Sequence, residues 1–117
     1  MSVSITQHSN EFSFCPQITV DDIQEIKSLG FKTIVNDRPD NEGSADQPQS
    51  EQIKIAAEAI GLSYYYIPVT PGNITTENLA EYATLLVSAP MPILGFCRTG
   101  NRAITIYQRS LAEQKPS

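Results

Sequence analysis

Short runs of apolar and β-branched residues alternate with longer stretches of helical period along the chain. Val3-Ser4-Ile5 and Phe12-Ser13-Phe14 alternate apolar and polar positions, as half-buried strands do, with Ser9-Asn10 as the turn between them. This predicts a short antiparallel pair at a sheet edge. Thr19 offers an N-cap hydroxyl before the early carboxylates of Val20-Asp21-Asp22, and Ile23, Ile26 and Leu29 form a stripe that Gly30 ends. Phe31–Asn36 reads as a buried strand and Asp37–Gln49 as a polar loop. Ser50 is the expected cap of a helix whose Ile53, Ala56, Ala57 and Ile60 face inward until Gly61. A third unit repeats this logic with strand Tyr64–Ile67, turn Pro68–Asn73 and a helix over Thr76–Ser88 that carries Leu79, Tyr82, Ala83 and Leu86. The last strand is Pro92–Phe96, and the stretch Ala103–Leu111 is again helical in period.

Strands that alternate with helices of this length require right-handed crossovers, hence a mostly parallel sheet covered on both faces. The expected fold class is therefore α/β, a single domain over residues 1–117 with a central sheet flanked by helices. In such sheets ligands bind beyond the carboxyl ends of the strands, and Cys97 stands at that end of the last strand.

Composition narrows the function classes. At 117 residues and 40% apolar content the chain can bury a core without disulfides or a structural metal. No run of about 18 apolar residues is present to span a bilayer, and Met1-Ser2-Val3-Ser4 lacks the basic start of a secretory signal, so a cytoplasmic protein is expected. A net charge of −5 opposes broad attraction to nucleic acid or to an anionic membrane, so any anionic ligand needs a local device. Cys15 and Cys97 read as free thiols, no Cys/His cluster has metal spacing, and neither metal nor cofactor is expected.

The local device is Cys97-Arg98-Thr99-Gly100-Asn101-Arg102, a tight loop between a buried strand and a helix. Backbone N–H groups curled around such a loop, with those of the helix start, form a concave anion site, and Gly100 permits the positive φ the curl needs. The same field favours a thiolate at Cys97, and Arg102 offers a planar fork for two oxygens of a bound oxyanion. Arg98 points either to substrate or to solvent, while Thr99 and Asn101 are expected to brace the loop. The plainer alternative makes Cys97 a small buried hydrophobe that ends its strand. Cys15, before Pro16, has packing as its default role and resolving thiol for Cys97 as the sharper one. His8 is expected at the surface, Gln17 to cap, brace or face the carboxyl edge, and Tyr65 opposite Tyr64 and Tyr66 in their strand.

Three stretches together, Gly30–Asp40, Gly61–Pro68 and Cys97–Arg102, resemble the phosphatase-like domain of beta-lactamase-hydrolase-like proteins. The resemblance runs from about Ile5 to Tyr107 and implies the protein tyrosine and dual-specificity phosphatase fold. It also implies Cys97 as a nucleophile that forms a phosphocysteine, with Arg102 and the loop amides on the equatorial oxygens of a phosphorylated substrate. The loop departs from the usual phosphatase signature. Four residues separate Cys97 from Arg102 instead of five, Phe96 replaces the usual His, and no hydroxyl residue follows Arg102 directly. The region Pro68–Thr75, where that family takes its general acid, holds no carboxylate. Asp37, Asp40 and Glu42 are the substitutes at the same sheet edge, against a solvated loop as the plain reading for Glu42 and Asp46. Arg38 beside them either braces the loop or assists anion binding.

The six-residue loop also resembles that of single-domain rhodaneses, which implies a Cys97 persulfide, a sulfane-sulfur donor and no general acid. A third reading keeps the oxyanion pocket as a binding module without turnover.

Overall fold

The computed structural model describes residues 3–114. Strands β1 (Thr6–Gln7), β2 (Phe12–Cys15), β3 (Thr33–Asn36), β4 (Ser63–Tyr66) and β5 (Ile93–Phe96) form one sheet in the order β1-β2-β5-β3-β4. Only the β1–β2 pair is antiparallel. Helices α1 (Ile23–Ser28, entered by a 3-10 turn over Val20–Asp22), α2 (Ser50–Ala59) and α3 (Thr76–Ser88) make the crossovers, and with α4 (Asn101–Gln114) after the last strand they cover both faces. The α/β class and the mostly parallel sheet expected from the alternation are those observed. No helix of the described residues is long and apolar enough to cross a membrane.

Because side chains alternate across a strand, the sheet separates two cores. Ile34, Leu94 and Phe96 pack with Ile23, Ile26, Ile53 and Ala57 on the α1/α2 side. Phe12, Val35 and Ile93 pack with Leu79, Tyr82, Leu86 and Ile106 on the other, where the Phe12 and Tyr107 rings stack at 3.9 Å. Each fully buried Ile, Leu, Val or Phe among these contributes about 1.5–3 kcal/mol of transfer free energy, an upper bound against a collapsed unfolded chain. Gly95 on β5 matters for position. A Cβ there would lie 2.9 Å from the Phe12 ring and 3.3 Å from the Ala103 Cβ, so glycine is what lets α4 seat closely on the sheet.

Three expectations need correction. Val3 and Ile5 are not strand residues but pack as partly buried hydrophobics against the α1/α2-side core, and pairing starts only at Thr6, opposite Phe14. Leu29 is 57% exposed. Steps of three residues drift about 60° each around a helix, so Leu29 points roughly 120° away from Ile23. Ser50 is the first residue of α2, not its cap. Its N–H donates to Asp40 Oδ1 at 2.7 Å, and its hydroxyl lies 2.6 Å from the Tyr64 hydroxyl.

Candidate active site

Parallel pairing aligns Cys15, Phe96, Asn36 and Tyr66 in one row across the carboxyl edge of the sheet. The residues one step beyond continue the ladder. Asp37 N–H donates to the Phe96 carbonyl at 2.9 Å, Ile67 N–H to the Asn36 carbonyl at 2.9 Å, and Val69 N–H to the Asp37 carbonyl at 2.9 Å. Asp37 and Cys97 thus follow paired positions on adjacent strands, and strand alternation gives both the α3/α4 side.

The loop from Cys97 to Arg102 closes between β5 and α4 as its composition predicts. Gly100 adopts φ +99°, and its N–H donates to Cys97 Sγ at 3.0 Å. A Cβ on Gly100 would come within 3.3 Å of the Cys15 carbonyl, so the loop is pressed against the end of β2. The Arg98 carbonyl accepts from Gln17 N–H at 3.3 Å while its side chain is exposed. Thr99 Oγ1 accepts from Asn101 N–H at 3.3 Å at the start of α4, the bracing role expected of this pair. Asn101 itself is exposed, and Cys97 is fully buried.

Arg102 is held by three bonds. Its Nη1 donates to Glu42 Oε2 and to the Val69 carbonyl, and its Nη2 to Glu42 Oε1, all at 2.7 Å. Glu42 Oε1 also accepts from Arg38 Nε at 3.0 Å, and Arg38 Nη1 donates to Gln17 Oε1 at 3.0 Å. The bidentate fork on Arg102, then the bond from Arg38, hold the Glu42 carboxyl below its ordinary range against the burial that opposes them. Glu42 is therefore not a solvated loop residue, and Arg38, itself 7% exposed, braces the loop through Glu42 and Gln17. Gly43 leaves room for this. A Cβ there would strike the Arg38 guanidinium.

The remaining carboxylates have unlike surroundings. Asp40 Oδ1 is committed to Ser50 N–H at the start of α2, and Asp40 N–H donates to the Tyr66 hydroxyl at 2.8 Å. Asp46 is exposed. Asp37 is wholly buried with neither carboxyl oxygen hydrogen-bonded. Burial first, and negative charge on Cys97 second, push its carboxyl well above the usual range, with Arg102 pulling weakly the other way. Its neighbour Tyr82, also buried without a partner for its hydroxyl, is pushed up by burial and by charge on Asp37. Cys15 is free and buried, and burial together with charge on Cys97 raises its thiol to about 12. His8 is exposed as expected, with its ring edge-on to Tyr107 at 5.8 Å.

Among the residues singled out in the sequence, the structure brings Cys97, Gly100, Arg102, Asp37 and Arg38 to one sheet edge and leaves the Arg98 side chain exposed. The anchoring of Arg102 by Glu42, 60 positions earlier in the chain, had no local signal. Neither did Tyr64 and Tyr66, whose hydroxyls join Asn36, Ser50 and Asp40 and so tie the acidic loop to β4.

The model of the family described as beta-lactamase hydrolase-like protein, phosphatase-like domain, matches residues 5–114. A beta-lactamase hydrolase-like protein of Agrobacterium fabrum is 36% identical over 91 residues, which cover 78% of this chain and 21% of that protein. One from Xylella fastidiosa is 26% identical over 108 residues, 92% of this chain and 25% of its own length. The chain thus spans about a fifth to a quarter of the curated relatives it matches. Among solved structures, a candidate phosphatase of Neisseria meningitidis superposes with a TM-score of 0.80 at 34% identity, over 94% of this chain and 78% of its own. Tk-PTP, at 14% identity and a TM-score of 0.64 over 92% of this chain and 82% of its own, shares the fold.

Proposed function

The chain belongs to the phosphatase-like domain family of beta-lactamase-hydrolase-like proteins, and on that premise we propose that it hydrolyses phosphate monoesters with Cys97 as nucleophile. The observation that carries the reading is the Gly100 N–H directed at Cys97 Sγ from a six-residue loop at the start of α4. Fixed N–H dipoles there favour negative charge on sulfur and on the oxygens of a phosphoryl group.

In the first step Sγ forms a bond to phosphorus and the ester P–O bond breaks, its electron pair leaving with the alcohol oxygen. Arg102, already aligned by Glu42 and the Val69 carbonyl, is the planar fork beside the phosphoryl oxygens. In the second step water attacks phosphorus, the P–S bond breaks, and phosphate leaves with the thiolate restored. Attacking and leaving atoms lie roughly in line across phosphorus. Asp37 follows β3 next to Cys97 at the end of β5 and, like Cys97, has no exposure. It therefore serves the thiol's proton and not the leaving oxygen at the open side. Burial favours its protonated form, so it is suited to take up and hold that proton. Asp40, whose carboxylate is engaged by Ser50 N–H, supports the loop. Esters whose alcohols leave readily as anions, such as aryl phosphates, suit such a site.

The family and fold relatives carry phosphatase names, and the expectation of sulfur transfer gains no support from them. The test is phosphate release from an aryl phosphate, run beside thiosulfate with cyanide. We expect phosphate release that Cys97→Ser lowers at least about a thousandfold. Release that survives the substitution, or Cys97-dependent thiocyanate without phosphate, overturns the proposal.

A further inference from the structure

A cleft of about 330 Å³ lies beside the loop, walled by Gly72, Ile74, Asn101, Arg102, Thr105 and Arg109. That volume is at the lower end for small-ligand sites. Three of its walls, Arg102, Thr105 and Arg109, are spaced three and four apart on α4 and so share one face of the helix. None of the six is acidic, although the chain as a whole carries a net charge of −5. Arg109 is exposed and makes no salt bridge among the described residues, whereas Arg102 is engaged by Glu42. The opposite wall is open, since a Cβ on Gly72 would meet nothing within 4 Å.

Resting on the phosphatase reading, we propose that this cleft takes the remainder of the substrate, and that the substrate is a phosphomonoester with a second anionic group held by Arg109. Seven residues of helix rise about 10 Å, which sets the separation of the two anions. Arg109 offers a fork of N–H donors to a phosphate or carboxylate, Thr105 offers a hydroxyl between the two cations, and Ile74 gives an apolar surface for the connecting carbons. Two sources supply this chemistry, a small bisphosphate and a phosphotyrosyl peptide with an acidic residue nearby.

The experiment compares 1,6-hexanediyl bisphosphate with hexyl phosphate, and a phosphotyrosyl peptide bearing a flanking Glu with its Gln counterpart, on the wild type and on Arg109→Gln. Binding is read as thermal stabilisation under each probe and does not depend on turnover. The doubly anionic member of at least one pair should bind about fivefold more tightly than its singly anionic partner, as expected for an exposed ion pair of about 1 kcal/mol. Arg109→Gln should reduce that ratio to near one, and so should high salt. A preference in the first pair alone identifies a small bisphosphate, and one in the second alone a peptide. Equal binding within both pairs, or a preference untouched by Arg109→Gln, overturns the subsite. Phosphate release from an aryl phosphate, measured separately, shows whether the phosphatase reading stands.

Discussion

Two loops meet at the carboxyl edge of the sheet, and they carry their information differently. The loop Cys97–Arg102 is six residues long, and its internal contacts are local. Gly100 reaches Cys97 three positions back, and Thr99 reaches Asn101. The loop from Asp37 to Gln49 is polar, and several of its contacts are distant. Glu42 reaches Arg102, Arg38 reaches Gln17, and Asp40 binds Ser50 and Tyr66. The short loop fixes the sulfur against its own glycine, but the long one fixes where the cation stands. Chemistry in this site is thus divided between a motif and its supports, and only the motif has a fixed spacing.

The strongest way to test that division is to neutralise Asp37. Asp37→Asn is expected to lower kcat with an aryl phosphate about a hundredfold, within the ~10²–10⁴ typical of a positioned proton-transfer group. A thiol partner predicts the same loss for good and poor leaving groups. A loss confined to poor leaving groups would make Asp37 the leaving-group acid instead. The same variant has a stability signature with a definite sign. The folded-state value of Asp37 is raised, so its contribution is complete below the ordinary value of 3.8 and is lost as pH rises toward the folded value. The melting temperature of the wild type should therefore fall relative to Asp37→Asn as pH rises above about 4. Parallel curves would show that Asp37 ionises freely.

Glu42→Gln should have the next largest effect. Without the bidentate partner Arg102 loses its alignment, and kcat/KM is expected to fall about tenfold, mostly through KM. Here the sign of the pH dependence reverses. Glu42 is held below its ordinary value of 4.5, so its stabilisation is present above that value and lost as pH falls through the folded value. The melting-temperature gap between wild type and Glu42→Gln should be full at pH 6–8 and close on acidification. A gap that stays constant to pH 3 would mean that the ion pair contributes nothing.

Tyr66→Phe removes the acceptor of the half-buried Asp40 N–H and should cost about 1 kcal/mol, read in chemical denaturation. Because it loosens the long loop, a small rise in KM should accompany it; unchanged stability would mean that water replaces the hydroxyl at no cost. Leu29→Gln is the control outside both loops. At 57% exposure it should stay within about 0.5 kcal/mol of the wild type, and a larger loss would show that Leu29 packs against something.

Much of the fold was legible because hydrophobic period and Gly/Pro punctuation are local properties of the chain. The strands at Phe12, Ile34, Tyr65 and Ile93, and the helices at Ile53, Leu79 and Ile106, follow from which residues must leave water. Two of the errors fell where periodicity has little hold, in the short edge strand β1 and at Leu29, one residue past the end of α1. The loop Cys97–Arg102 was equally legible, since a cysteine, a glycine and an arginine at fixed spacing between strand and helix constrain one another within a single turn of chain.

What no local pattern contained was the neighbourhood of each carboxylate. Asp37, Asp40, Glu42 and Asp46 are alike in composition and lie within ten positions. Yet one is buried without a partner, one is tied to the start of a helix, one grips two arginines and one is solvated. A side chain's charge state depends on desolvation and on charges a few ångströms away, and most of those neighbours come from other strands and loops. The chain's own pattern determined that a six-residue loop from a cysteine to an arginine ends the last strand. Only the pairing of β3 with β5 brought Asp37 beside Cys97, and only the fold of the long loop turned Glu42 onto Arg102.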